Sequence, residues 1–296
     1  MEKSFKFSGH ESFICRTFWA KKGIDFILSG HHFNNEDAVI ELGVGKNMVA
    51  SIAFWLKALE LVDNDNEITR LGGDLFSNEM GYDPYLEDIG TIWLLHYQLI
   101  KTKYASIYSL FFNEFRKERS EFSLDQLNNF IKRKCLEVSK NLYNENTINR
   151  DIGVLIRSYI KADYKSLKGE FEDELSGLFK EIGLMDKLII KGPDKRTNEY
   201  YNIKSLIRND LPPHIVLFSI LDQHPETTSI SIKDLEIGIN SPGLVFALSP
   251  NGLHKKINEI EQLYDDIIYK EDAGKKVLSF KDQIDKWDVL RDYYAN

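Results

Sequence analysis

The sequence predicts a mainly α-helical protein with small β-hairpin wings, in which winged helix-turn-helix units at both ends surround a helical middle. Three observations lead to this fold class. Apolar residues recur at spacings of three and four, as in helices with one buried face. A short helix, a glycine turn, a longer helix and a hairpin-like segment follow one another within residues 36–72. A helix followed by a polar break and strand-like residues occurs twice more.

The N-terminal unit, residues 1–80, has the sharpest pattern. Residues 36–42 predict a short helix, and Gly43 and Gly45 predict a tight turn because glycine tolerates positive φ. Residues 46–61 predict the second helix, with an apolar stripe along one face. Residues 62–72 place a polar turn between two short apolar runs, which indicates a hairpin. This is the order of elements in a winged helix-turn-helix.

The middle of the chain, residues 81–210, is predicted to be helical with a second wing-like hairpin. The predicted helices are residues 85–101, 105–117, 123–138, 147–160 and 171–184, and the hairpin turns at 192–195. Residues 101–168 contain 14 Lys or Arg against 8 Asp or Glu. The middle is therefore locally basic, although the whole chain has a formal net charge of −8.

The C-terminal unit, residues 211–296, is predicted to be winged-helix-like and acidic, with 14 Asp or Glu against 9 Lys or Arg. Pro212 and Pro213 indicate a linker. Helices are predicted at 214–221 and 232–237, and a third begins at Ser249 and Pro250, a favourable cap and first-turn pair. Residues 266–280 predict a closing hairpin.

Composition limits the class of protein. The 296 residues are 43% hydrophobic, which excludes a wholly disordered chain. No apolar run reaches the roughly 18 residues that span a bilayer, and the N-terminal residues lack the apolar core of a secretory signal. Cys15 and Cys135 cannot build a disulfide framework. We therefore expect a cytoplasmic protein that does not associate with membranes.

Lys46 and Asn47 begin the second helix of the first unit, where helix-turn-helix proteins meet base edges in the major groove. Arg150 and Arg157 lie two turns apart on one predicted helix and could join a basic run to hold phosphates. The candidate DNA-binding residues are Arg16, Lys46, Asn47, Lys57, Arg70, Lys132, Arg133, Lys134, Arg150 and Arg157. The alternative is that these residues form an ordinary solvated surface.

Residues 7–13 place polar groups among aromatic ones ahead of any clear helix. His10 and Glu11 are the candidate catalytic residues, as a general base and a metal ligand, with Arg16 holding a phosphate. The ion would be Mg²⁺ or Mn²⁺, and further metal ligands are unknown. The alternative is a structural knot in which His10 and Arg16 bond to the backbone or to carboxylates.

Two other patterns are weaker. Gly43 to Asn47 superficially resembles a phosphate-binding loop, but Ile40 stands where that motif needs glycine and Asn47 where it needs Ser or Thr, so no ATP site is predicted. Asp194, Glu199 and Lys204 faintly resemble a restriction-type nuclease core. In such a core an acidic residue and a lysine lie two residues apart on one strand. Glu199 and Lys204 are five residues apart, so a polar hairpin is favoured.

Several motifs resemble a bacterial family long described only as a domain of unknown function, whose genes lie beside DNA phosphorothioation genes in defence islands. They are residues 7–11 with Arg16, Trp19 and Lys21; residues 36–39 and 42–48; and residues 54–58 and 91–96. The chain looks like the B component of the Ssp-type single-strand phosphorothioation system over nearly its whole length.

This resemblance implies a DNA-binding component of a phosphorothioation or defence complex that nicks DNA with a divalent metal. It implies double-stranded DNA, a sulfur-transfer protein resembling ATP-pyrophosphatases, and an ATPase as partners. A homodimer is left open. Two alternatives remain at this stage. One is a non-catalytic winged-helix adaptor that docks partner proteins, and the other is a transcriptional regulator that reads DNA with its first unit.

Overall fold

The computed structural model describes residues 5–77, 81–161, 176–191, 197–272 and 274–295. The chain divides into two units, residues 1–203 and 204–296. Within the described residues both units are mainly helical, and each contains a small antiparallel sheet. The mainly helical class with small sheets is thus confirmed, while the three-part division at residues 80 and 210 remains a prediction.

The first unit is built from helices of very different lengths joined by short turns. They are α1 (Trp19–Leu28), α2 (Ala38–Leu42), α3 (Lys46–Ala58), α4 (Arg70–Phe76), α5 (Ile89–Lys101), α6 (Ser106–Leu110), α7 (Arg116–Glu118), α8 (Leu124–Val138) and α9 (Glu145–Tyr159). A π-helical turn, Phe111–Phe115, joins α6 to α7. Single 3-10 turns lie at Lys140–Leu142 and Leu178–Lys180.

The sheet of the first unit has the strand order β1-β3-β2. Its strands are β1 (Glu121–Phe122), β2 (Asp186–Lys191) and β3 (Thr197–Asn202). Both pairings are antiparallel, and Tyr201 lies opposite Phe122 on one side and Lys187 on the other. The strand residues of the second predicted wing are therefore present, whereas its turn at 192–195, with Asp194, lies outside the described residues.

Helix α5 runs through the core of the first unit. Its N-terminus is capped by the Asp88 carboxylate, which accepts the amides of Gly90 and Thr91, and nearly every residue behind this cap is buried. His96 Nδ1 lies 2.8 Å from the Tyr159 hydroxyl, and aromatic rings surround the imidazole. His96 is thus a hydrogen-bonded core residue, as buried polar groups generally are.

Helix α5 begins later than predicted, at Ile89 instead of residue 85. Leu86 has a φ of 56°, which is not helical. The Asp83 carboxylate accepts the amides of Glu87 and Asp88, so it fixes a turn ahead of the helix. The Asp83-Pro84 pair therefore marks the turn, and Asp88 is the helix cap.

The predicted N-terminal wing is corrected by the structure. Only one isolated bridge, between Val62 and Ile68, forms among residues 62–72. The hydroxyl of Thr69 accepts the amide of Gly72 and starts α4, so helix replaces the second strand. A β-carbon on Gly72 would lie 2.2 Å from the Leu61 carbonyl oxygen, and the glycine therefore permits this close turn.

The predicted helix over 171–184 is also corrected in part. Residues 171–175 lie outside the described part of the chain. From residue 176 onward, Gly177 forms an isolated antiparallel bridge with Arg16. The residues that follow form a single 3-10 turn, Leu178–Lys180, instead of an α-helix. Its apolar side chains are buried there without a helix.

The second unit contains α10 (Pro213–Gln223), α11 (Ile232–Ile237), α12 (Pro242–Val245), α13 (Pro250–Leu263) and α14 (Lys286–Ala295). Its strands β4 (Ser229–Ser231), β5 (Ile267–Asp272) and β6 (Lys275–Phe280) have the order β4-β6-β5. Helix α10 packs against α13 and α14. The predicted Ser249 cap and the closing hairpin are both present.

Candidate nucleic-acid interface

The segment of residues 5–13, here called the N-terminal segment, has an unusual backbone. Ser8, Gly9, Glu11 and Ser12 all have positive φ, between 49° and 99°. Such values are uncommon for residues other than glycine, so surrounding contacts must hold the segment in place. At Gly9 a β-carbon would lie 2.6 Å from the ring of Phe54, and only glycine fits this approach.

Helix α9 supplies one set of these contacts. The Ser8 amide donates to both carboxylate oxygens of Asp151, at 3.0 and 3.2 Å. The Arg157 guanidinium donates to the Ser12 carbonyl at 2.8 Å. Asp151 is buried, whereas Arg157 is exposed. The Arg157 guanidinium, predicted to bind DNA, is therefore engaged with the N-terminal segment.

Helix α3 holds the same segment from another side. The Ser51 hydroxyl donates to the His10 carbonyl at 3.0 Å. The Trp55 indole N–H donates to the Phe13 carbonyl at 3.2 Å. Ser51 is completely buried, so a polar side chain within the core face of α3 has a backbone partner.

His10 lies inside this arrangement, with 1% of its surface exposed. Its Nδ1 accepts the Ser12 amide at 3.2 Å, which places the ring proton on Nε2. Nε2 faces Asp151 Oδ1 at 3.2 Å, although the contact lacks the alignment of a hydrogen bond. The ring also stacks on Trp55. This geometry does not favour His10 as a general base, because Nδ1 is already occupied and the ring is enclosed. It agrees with the alternative of a structural role, in which His10 bonds to the backbone.

Glu11, the second predicted catalytic residue, is exposed. Magnesium prefers several oxygen ligands in octahedral geometry. Nowhere in the part of the chain that the structure describes do three or more His, Cys, Asp or Glu side chains form a group that could hold a metal ion. The nearby Asp151 carboxylate is already bonded to the Ser8 amide. The residues around Glu11 therefore do not make a magnesium site by themselves.

A groove of about 700 Å³ lies beside the N-terminal segment. One face of α3 lines it, together with Lys6 and Gly9 of the N-terminal segment, residues 33–36, 38 and 39, and Tyr104. We call it the α3 groove, and Lys6 with Gly9 its N-terminal wall. Both the groove and its lining lie within the first unit.

The α3 face of the groove has a simple pattern. Lys46, Ala50, Ala53 and Lys57 follow one another at spacings of four, three and four, which places them on one side of a helix. The two lysines are separated by about 16 Å along the helix axis. Small alanines between them leave room for a ligand to approach the helix closely.

The charge inside the α3 groove is positive. Its lining contains Lys6, Lys46 and Lys57 against the one carboxylate of Glu36. Lys46 and Lys6 are exposed, and the Lys57 ammonium donates to the Asn64 carbonyl at 2.8 Å. A concave surface with three lysines suits a polyanion such as a nucleic-acid backbone.

Lys6 and Tyr104 are the residues that sequence reasoning missed. The Lys6 backbone exchanges two hydrogen bonds with Ser106, its amide donating to the hydroxyl at 2.8 Å and its carbonyl accepting the amide at 3.1 Å. Its ammonium group lies 3.4 Å from the centre of the Tyr104 ring. Only the alternation of lysines and alanines along α3 could have revealed the groove from sequence.

Other predicted DNA-binding residues lie outside this lining. Asn47 is exposed at the start of α3, and Arg70 is exposed on α4, where its Nε lies 3.5 Å from Asp74 Oδ2. The Arg16 guanidinium lies 5.3 Å from the Trp19 ring. The structure therefore places Lys46 and Lys57 in one groove but not these three residues with them.

The basic run on α8 is largely neutralised. Arg133 pairs with Glu118, and the Lys134 ammonium lies 2.7 Å from a carboxylate oxygen of Glu114. The hydrogen bond to Glu114 raises the pKa of Lys134. Two cations of the run already have carboxylate partners, so the structure does not support the run as one continuous phosphate-binding surface.

The remaining cations of the predicted surface have different surroundings. The Lys132 ammonium lies over the Tyr143 ring at 5.2 Å. Arg150 is exposed on α9, whereas Arg157 further along that helix is turned toward the N-terminal segment.

Comparison with known proteins shows the family of this chain. The family described as "Protein of unknown function (DUF4007)" matches residues 7–294. The chain belongs to this family. No curated protein matches it. Across the part of the chain that the structure describes, no helix is long and apolar enough to cross a membrane.

Two solved structures match the chain closely. The magnesium ion-bound crystal structure of SspB is 28% identical, with a TM-score of 0.83, and the match covers 98% of this chain and 88% of that one. A second SspB crystal structure gives the same identity and coverage, with a TM-score of 0.82. The resemblance to the B component, predicted from the sequence, is confirmed.

Proposed function

We propose that this protein is a DNA-binding component of a DNA phosphorothioation complex and that its α3 groove contacts the phosphate backbone. The observation that carries the proposal is the positive α3 groove, which Lys6, Lys46 and Lys57 line around the alanines of one helix face. The likeness to SspB supports the assignment to a phosphorothioation system.

The overall acidity of the chain does not oppose this function. Phosphate contacts act over about a Debye length, roughly 8 Å at physiological salt, so the charge of the groove matters more than the net charge of −8. An acidic exterior also disfavours nonspecific coating of DNA, which restricts binding to the groove.

In this proposal α2 and α3 act as a helix-turn-helix. Helix α2 ends at Leu42 and is capped by Gly43, which has a φ of 60°, and α3 begins three residues after this glycine. The second unit has the element order of a winged helix, with α10, β4, α11, α12 and α13 followed by the β5–β6 hairpin. Its closing hairpin would be the wing.

The binding test compares Lys46→Glu and Lys57→Glu with the wild-type protein by fluorescence anisotropy on a labelled duplex. Lys140→Glu, which changes an exposed lysine away from the groove, is the matched control. Each groove variant is expected to weaken binding and to lower the salt slope by about one. Equal affinities for all four proteins would refute the proposed function.

The proposal includes DNA nicking by this protein. The magnesium-bound SspB structure supports testing this activity with Mg²⁺. No metal-dependent step follows from the residues around Glu11. The assay uses supercoiled plasmid with Mg²⁺ or Mn²⁺, with and without chelator. Conversion to open circle that is lost in Glu11→Gln would assign cleavage to this chain. Binding without conversion would assign cleavage to a partner.

Partner proteins in this proposal are an ATP-pyrophosphatase-like sulfur-transfer protein and an ATPase. The adaptor alternative is favoured at one place in the second unit, where Ile237 at the end of α11 is 48% exposed and Ile239 shortly after it is 65% exposed. Large exposed apolar side chains are typical of contact surfaces. An Ile237→Ser/Ile239→Ser variant that binds DNA normally but no longer co-purifies with the complex would support docking there.

A further inference from the structure

Lys6 and Gly9 line the α3 groove but belong to no helix or strand. A segment without regular structure has no hydrogen-bond ladder of its own, so its position depends on other elements. Ser106 fixes the backbone of Lys6 through two hydrogen bonds. Further along the segment, the support comes from α9.

Asp151 is the central contact from α9. Both of its carboxylate oxygens accept the Ser8 amide, and Oδ1 also lies 3.2 Å from His10 Nε2. Ser8 and His10 are the two neighbours of Gly9 in the chain. One carboxylate therefore hydrogen-bonds the residue before the groove-lining glycine and lies in close contact with the residue after it.

The backbone of this stretch needs such an anchor. Ser8 and Glu11 have φ values of 67° and 49°, which residues other than glycine rarely adopt. Unsupported, the segment would relax toward ordinary backbone angles. Relaxation would move Gly9 away from the Phe54 ring, where a β-carbon would have no room.

Asp151 cannot contact DNA itself, because only 3% of its side chain is exposed. Its charge is buried, and a buried carboxylate requires hydrogen-bond donors. The Ser8 amide is such a donor, and Nε2 of the His10 ring faces the same carboxylate. We therefore expect Asp151 to act on a ligand in the groove mainly through the N-terminal segment.

We propose that Asp151 is a positioning residue for the α3 groove: through Ser8 and His10 it holds the stretch around Gly9 in place and, together with Ser106, sets where Lys6 meets the DNA backbone. This inference rests on the proposed function, in which the groove binds DNA. It also gives the sequence motif of residues 7–13 a role in shaping the site.

The first test is independent of DNA. Hydrogen exchange is measured by mass spectrometry on wild type and Asp151→Asn, for peptides covering residues 5–13 and 89–101. In Asp151→Asn the amide side chain keeps one oxygen acceptor and loses the charge. Faster exchange in 5–13 with unchanged exchange in 89–101 is the expected result. Unchanged exchange in 5–13 overturns the proposal, whatever the DNA data show.

The second test is a double-mutant cycle on DNA affinity. Asp151→Asn is combined with Lys6→Ala and, as the matched control, with Lys57→Ala on α3. Asp151→Asn alone is expected to weaken binding by about three- to tenfold, the range for one misplaced phosphate contact. Its effect should largely disappear in the Lys6→Ala background and persist in the Lys57→Ala background. Equal effects in both backgrounds overturn the proposal.

The two tests separate this inference from the proposed function. If Lys46→Glu does not weaken binding, the groove is not the DNA site, yet the exchange experiment still decides whether Asp151 anchors the segment. If Asp151→Asn does not fold, Asp151→Glu replaces it in both tests. That variant keeps the charge but carries the carboxylate on a longer side chain, which cannot keep the same geometry toward the Ser8 amide. Unchanged exchange in residues 5–13 of Asp151→Glu would then overturn the proposal.

Discussion

The ammonium group of Lys6 lies 3.4 Å from the centre of the Tyr104 ring. A cation held over an aromatic face is attracted by the ring quadrupole. The contact orders a long side chain that would otherwise sample many rotamers, so less entropy is lost when a phosphate binds. Tyr104 thus prepares Lys6 for its proposed role in binding a phosphate.

Replacing Tyr104 by leucine is therefore expected to weaken DNA binding. The contact contributes about 0.5–1 kcal/mol, which corresponds to about a two- to fivefold change in Kd. Tyr104→Phe keeps the ring and serves as the control. Anisotropy titrations of the two variants would contradict the prediction if leucine and phenylalanine gave the same affinity.

A negative charge in the middle of the α3 face should block the groove. Ala50 lies between Lys46 and Lys57 on an exposed helix position, so a glutamate there costs little in helix stability. Ala50→Glu is expected to lower affinity by about tenfold or more through repulsion of phosphates. The nearly isosteric Ala50→Gln separates charge from size. If glutamine weakens binding as much as glutamate does, shape and not charge controls the site.

Helix α8 depends on its N-terminal capping box. The Ser123 hydroxyl accepts the Gln126 amide, and the Gln126 side chain accepts the Ser123 amide. Ser123→Ala is expected to lower the free energy of unfolding by about 1 kcal/mol. Thermal denaturation should show a Tm about 2–4 °C lower. Ser123→Thr keeps the hydroxyl and should retain most of the stability, and an alanine variant as stable as wild type would contradict the role of the cap.

His214 makes the second unit sensitive to pH. Burial lowers the pKa of this imidazole, and the nearby Asp292 carboxylate opposes the shift only in part. The unfolded chain therefore takes up a proton at a higher pH than the folded unit does. Stability should fall as pH drops through the ordinary histidine range near 6.5.

The pH prediction is checked by denaturant unfolding of the full chain between pH 7.5 and 5.5, above the range in which carboxylates titrate. The variant His214→Gln cannot bind this proton and should show a smaller loss of stability over the same range. An equal loss in both proteins would assign the pH dependence to other groups.

Local signals in the sequence predict much of the fold. The cap at Ser249, the glycine turn at Gly43 and the hairpin of β5 and β6 depend on neighbouring residues, and the structure contains all of them. The N-terminal wing was predicted on equally local grounds and is wrong. Hairpin and helix signals compete at Thr69, and its capping hydrogen bond starts a helix there.

The candidate site is predictable only in part. Lys46 and Lys57 follow from helix periodicity on a single element. Lys6 and Tyr104 are distant in sequence, and only tertiary packing brings them to the same groove. The anchoring of Ser8 by Asp151 is likewise a long-range contact, and no spacing rule connects the two positions.

The contact between Ser8 and Asp151 can form only late in synthesis, because the two residues are far apart in the sequence. Helix α3 and its lysines leave the ribosome early, whereas Asp151 follows roughly a hundred residues later, which takes on the order of ten seconds at about 5–20 residues per second. Until then the N-terminal segment has no carboxylate to hold its backbone. A nascent chain that ends before α9 therefore carries the cations of the groove without the contact that anchors Ser8. If the groove binds DNA as proposed, we expect the site to become competent only after the helical middle has been made.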